Sequence, residues 1–166
     1  MIEILKVTLA LGAVALVGGC PASTTDTPDS GVPVEATFTS LYGDYFGNCK
    51  QCHAPGAPGR TSDTEQTLNF TSRTTALAAL KTGTASGLIG NFVDCNGVKF
   101  IDAMPGTSLV VAVLDQPTRQ VIDLSPAHAT CDKDTIPDMT AKVGGAPSAA
   151  FVSALKTWIT NGAPDN

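Results

Sequence analysis

An all-α fold is predicted by three features of the sequence. Apolar residues recur at spacings of three and four over residues 38–46 and 151–159, the signature of one buried helical face. No stretch carries the strict alternation of a half-buried strand, and there are no internal repeats. The 16 glycines and 11 prolines among 166 residues interrupt the chain between those segments. They predict few regular elements joined by long irregular connections.

The elements follow in chain order. Residues 1–19 begin with one lysine, Lys6, and continue as a run of apolar and small residues from Val7 to Val17. That run is shorter than the ~20 apolar residues a spanning helix needs, and it fits the apolar region of an export signal. It ends in Val17-Gly18-Gly19-Cys20, which resembles the bacterial lipobox, so Cys20 is the expected lipidation site. Glu3 is atypical in such a head region. Residues 20–34 are small, polar and rich in Pro, Ser, Thr and Asp, the composition of a flexible tether. Residues 35–166 form the globular part.

Within it, Phe38, Leu41, Tyr42, Tyr45 and Phe46 predict a helix that leads directly into Cys49. A second helix is expected to end near Lys81, with Ser72 or Thr74 as its cap. Residues 105–115 fit either a buried strand or a short helix, and Pro105-Gly106-Thr107-Ser108 is a helix start signal. The last helix is the clearest. Ser148 caps it, Phe151, Leu155, Trp158 and Ile159 share a face, and Asn161-Gly162 end it.

The formal charge of −5 argues against nucleic acid as the principal partner. Removal of residues 1–19 takes away one acid and one base and leaves the balance unchanged. Asp132, Asp134 and Asp138 read as a solvated acidic face. With one histidine outside the motif described next and no nucleophile paired to a base, the sequence contains no catalytic constellation, so an enzyme is not expected.

The chemistry concentrates in Gly47-Asn48-Cys49-Lys50-Gln51-Cys52-His53. In a chain with five Cys and two His, a Cys-x-x-Cys-His string is expected by chance only about 0.002 times. Three chemistries use such a pair. Two thiols two residues apart can add across the vinyl groups of one haem, with the following imidazole presented to the iron. A zinc site would need two more ligands, which His128 and Cys131 could supply with Cys49 and Cys52. A redox dithiol would need a preceding strand and a following helix, and no strand precedes this pair. Haem attachment is the expected use. If Cys20 carries lipid and Cys49 and Cys52 carry haem, Cys95 and Cys131 remain as a pair in an oxidising compartment.

Three stretches together resemble the small c-type cytochrome domains of bacterial exported proteins: Phe46 to His53, Met104 to Asp115, and Ala154 to Pro164, the last containing Trp158-Ile159 and Gly162-Ala163. The resemblance covers about residues 38–163. It implies a class I cytochrome c-like domain with long loops around one covalent haem c, the first and last helices crossing beside it. It also implies a Cys95–Cys131 disulfide and Phe46 and Trp158 as core aromatics of the haem pocket.

His53 is then the proximal iron ligand. Relatives of this type take the sixth ligand from a methionine before the last helix, commonly followed by proline. Here Ile136 precedes Pro137, and Met139 follows it. Met139 is the expected ligand, with His128, Met104 or an open position as alternatives. Met104 reads as a core residue. The implied protein is an exported, lipid-anchored electron carrier facing the periplasm or the cell surface, with protein redox partners. A zinc-stapled binding module and a haem-based small-ligand sensor are the alternative readings.

Overall fold

A computed structural model of the chain describes residues 33–57, 68–85, 94–140 and 145–166. Residues 1–19, Cys20 and most of the expected tether lie outside the described residues. The described part is helical, and its β pairing is confined to one antiparallel bridge, Thr84 to Lys99. None of its helices is long and apolar enough to cross a membrane.

Thr37 starts the first helix, α1 (Phe38–Asp44): its backbone is extended and its hydroxyl accepts the Ser40 amide at 3.2 Å. The apolar spacing continues past Asp44, but the helix does not. At Tyr45 the chain leaves helical geometry and re-enters it as a 3₁₀ segment, Phe46–Gln51. Gly47 permits the turn, because a Cβ there would lie 2.9 Å from the Tyr42 carbonyl oxygen. The expected single helix is therefore two short pieces. Both still bury their apolar side, through Phe38, Leu41, Phe46 and Cys49.

Helix α2 (Arg73–Thr82) opens on Ser72, not Thr74. Ser72 and Thr75 exchange hydrogen bonds as a capping box, the Thr75 hydroxyl standing where Glu or Gln is usual. Residues 105–115 resolve as a 3₁₀ turn (Pro105–Thr107) followed by α3 (Leu109–Leu114). Five of the six residues of α3 are buried, which is why its apolar run had no readable period. Helix α4 (Gln116–Val121) was not anticipated, although its signals are in the sequence. Asp115 accepts the Thr118 amide and Pro117 stands in the first turn. Helix α5 (Ala149–Thr160) is capped by Ser148, which accepts the Phe151 amide at 3.1 Å. It closes as a Schellman motif, with Gly162 N–H donating to Ile159 O and Ala163 N–H to Trp158 O. Gly162 has φ +83 and Ala163 φ +51.

The core joins the first and last helices of the described residues. Trp158 is fully buried, its ring centroid 5.1 Å from that of Phe38, so α5 lies on α1. Phe46 makes an edge contact with Phe151 at 5.3 Å. The last residue ties down the start of α1. The Asn166 carbonyl accepts the Thr39 amide at 2.9 Å, and its side-chain oxygen accepts the Phe38 amide at 3.0 Å. Arg73 pairs with Asp165 and donates to the Asn166 carbonyl at 3.0 Å. First-turn amides that α1 cannot satisfy itself thus find acceptors more than 120 residues away in sequence.

Cys95 and Cys131, both buried, are joined by a disulfide across 36 residues of sequence. Closing a loop of that length restricts the unfolded chain by ~3–4 kcal/mol. The double substitution Cys95→Ala/Cys131→Ala is expected to lower urea-unfolding stability by about that amount, with the fold retained by circular dichroism. A loss under ~1 kcal/mol would show that this cross-link does not restrain the unfolded chain as its loop length requires.

Candidate functional site

One tight turn presents the motif. The Cys52 amide donates to the Cys49 carbonyl at 3.1 Å and the His53 amide to the same oxygen at 2.8 Å. The 3₁₀ segment ends at Gln51, and Cys52 is its cap, so Cys49 and Cys52 stand at the two ends of one turn of chain. His53 follows one residue further round. Its carbonyl accepts the Phe70 amide at 2.7 Å, and its ring meets the Phe70 ring edge-on at 5.7 Å. Tyr42 holds the other side of that strut, its hydroxyl donating to the Phe70 carbonyl at 3.0 Å.

The surroundings of Cys49 are dry. It is 8% exposed, and burial pushes its thiol up to about 12, with its own backbone hydrogen bond offsetting only part of the rise. A thiol held neutral is a poor nucleophile at pH 7, which argues against a thiolate-driven dithiol cycle. A thioether carries no charge, so converting this sulfur to a haem thioether adds no charge to the dry site. Cys52 stands in disulfide linkage, and it must be reduced before its sulfur can add to a vinyl group.

Tyr45 links this turn to the segment before α5. Its hydroxyl donates to the Gly145 carbonyl at 3.1 Å, and its ring lies 5.0 Å from that of Phe151. Burial, first of all, raises its phenol far above the ordinary range.

Met139 packs half-buried against the core, and its amide donates to the Val113 carbonyl at 3.1 Å. Ile136, which precedes Pro137, is 4% exposed. Met104 is 62% exposed, which corrects its expected place in the core. Its carbonyl caps the turn from outside by accepting the Ser108 hydroxyl at 2.8 Å, which leaves the thioether in solvent. His128 is half-buried on a turn near Gly97, its amide donating to the Leu124 carbonyl. Cys131 and Cys52 are each in disulfide linkage, so the four-ligand zinc set Cys49, Cys52, His128 and Cys131 lacks two of its thiolates. Among the described residues no group of three His, Cys, Asp or Glu side chains is arranged to hold a metal ion.

The acidic residues divide. Asp132 and Asp134 are exposed, as expected of a solvated face. Asp138 is more than that: one of its carboxylate oxygens accepts Arg119 at 2.9 Å and the other accepts the Thr140 amide and hydroxyl. The Thr140 hydroxyl first, and then its amide and the Arg119 charge, hold Asp138 below the usual carboxylate range against an opposing effect of burial. Arg119 is the partner sequence reasoning missed. Its only advance signal was a lone basic residue three positions beyond a helix start, which is no signal at all.

A groove of about 610 Å³ opens beside this segment, lined by Leu114, Asp115, Arg119, Asp138, Thr140 and Lys156 among others. Its walls include neither the motif cysteines nor His53.

Comparison with protein family models, with curated proteins and with solved structures returns no match.

Proposed function

We propose that the chain is an electron-transfer protein that carries one covalent haem c in a class I cytochrome c-like domain. The single observation that supports this most strongly is the tight turn in which the Cys52 and His53 amides both donate to the Cys49 carbonyl, gathering the three motif residues within one turn of chain. The donor set fits the group: two sulfurs for two thioethers and one imidazole for the iron. Cys49 and Cys52 would hold the porphyrin, and His53 and Met139 would be the axial ligands. When bound, the haem supplies a reversible one-electron change at iron. The protein's part is to hold the imidazole, exclude water with Phe46, Phe70 and Phe151, and provide a thioether that raises the reduction potential.

Optical spectra of the purified, matured protein test this. Sharp reduced bands that stay with the chain after denaturation mark haem c. A featureless spectrum with bound zinc would remove the reading in favour of a zinc-stapled module. In the ferric protein, Met ligation gives a weak far-red charge-transfer band. Met139→Ala is expected to abolish that band, lower the potential and open the iron to carbon monoxide. A wild-type protein without the band that binds carbon monoxide readily would make a small-ligand sensor the better reading.

The same proposal places the protein on a membrane through lipid at Cys20, exported and in contact with protein redox partners. Its motivation is the apolar run ending in Gly18-Gly19-Cys20, followed by a polar tether. Cys20→Ser is expected to move the protein from the detergent phase to the aqueous phase or to stop its processing. Normal processing with full membrane retention would rule the anchor out.

A further inference from the structure

Arg119 is the only charged side chain buried among the described residues, at 6% exposure. A buried guanidinium is stable only where its donors are used. One of its nitrogens donates to the Ala112 carbonyl at 3.3 Å and another to the Asp138 carboxylate at 2.9 Å. Ala112 and Val113 stand in the last turn of α3, where carbonyls run out of intrahelical donors. The first of these carbonyls is taken by Arg119, the second by the amide of Met139. Asp138 is in turn locked to Thr140 by two hydrogen bonds through its other oxygen. Asp138 is thus held to the end of α3 through Arg119, and Met139 through its own amide, while Thr140 is tied back to Asp138.

We propose that Arg119 is the positioning residue for Met139, fixing the loop that delivers the sixth iron ligand. This rests on the haem reading above. Arg119 touches neither motif cysteine and donates to no atom of Met139. It acts through Asp138 and through the shared end of α3. Without the bond to Asp138, the loop keeps only the Met139 amide to hold it to α3, and the thioether spends more time away from the iron.

The matured holoprotein is compared with Arg119→Gln, Asp138→Asn and Lys156→Gln. Asp138→Asn removes the ion pair from its exposed side and leaves a side-chain oxygen for Thr140, so it decides the matter if Arg119→Gln does not fold. Lys156→Gln removes the other ion pair of the same groove, the 2.7 Å contact with Asp115, and serves as the control. Three readouts are taken: the ferric far-red band, carbon monoxide affinity of the ferrous form, and hydrogen exchange at the Met139 amide. Both Arg119→Gln and Asp138→Asn are expected to weaken the band, raise carbon monoxide affinity about tenfold and speed Met139 amide exchange by a similar factor. Lys156→Gln is expected to change none of these. Unchanged band and affinity in both folded variants would overturn the positioning role and leave His/Met ligation standing. A wild-type ferric protein without the band would overturn Met139 as ligand, and this proposal with it.

Discussion

Substituting both motif cysteines, Cys49→Ala/Cys52→Ala, is expected to yield a protein with no covalently retained haem. Each thiol supplies one thioether, and nothing else in the described residues can replace them. Cys95 and Cys131 are joined to each other, and no other group of ligating side chains is assembled. The single variants are expected to differ. Cys49 is buried against Phe46 and the helical core, whereas Cys52 is only half-buried. Cys49→Ala therefore also removes packing, by about 1 kcal/mol. The measurement is haem staining after denaturing electrophoresis, with absorbance ratios for the yield. Full covalent haem in the double variant would place attachment elsewhere and end the motif's claim to it.

Trp158→Ala is expected to destabilise the protein by about 3–5 kcal/mol, enough to unfold a marginal domain. The ring is fully buried and lies against Phe38, where α5 meets α1. Its indole N–H donates to the Pro164 carbonyl at 2.9 Å, so truncation also leaves that acceptor without its partner. The same segment holds Asp165 and Asn166 in place to receive Arg73 and the amides of α1. A loosened chain end therefore frees the helix that leads into the motif. Trp158→Phe keeps most of the packing and loses only the hydrogen bond, and is expected to cost about 1–2 kcal/mol. Urea unfolding of the two variants separates the terms. Equal losses in both would assign the effect to the hydrogen bond, and a loss under ~1 kcal/mol in Trp158→Ala would deny this contact a structural role.

Local chemistry by itself determined where several helices begin and end and where the chemically reactive groups lie. Ser148 and Asn161-Gly162 bound the last helix because capping and the Schellman turn need only neighbours in sequence. The same holds for the Cys49, Cys52 and His53 turn, whose geometry follows from consecutive residues. What needed the structure was every feature set by packing or by one particular contact, near or distant in sequence, that leaves no periodic pattern. The first helix breaks at Tyr45 although its apolar period runs on, since a close backbone approach at Gly47 favours a tighter turn. Residues 109–114 form a helix that buries five of its six residues, and a run buried nearly all round shows no period. Met104 faces solvent because the turn at Ser108 uses its carbonyl and leaves its side chain outside. Asp138 looked like one of three solvated acids until Arg119, 19 residues away, was brought against it. Pattern along a chain records burial and local hydrogen bonding. It does not record which carbonyls a short helix leaves unsatisfied, and here those of α3 decide what is gathered around Met139.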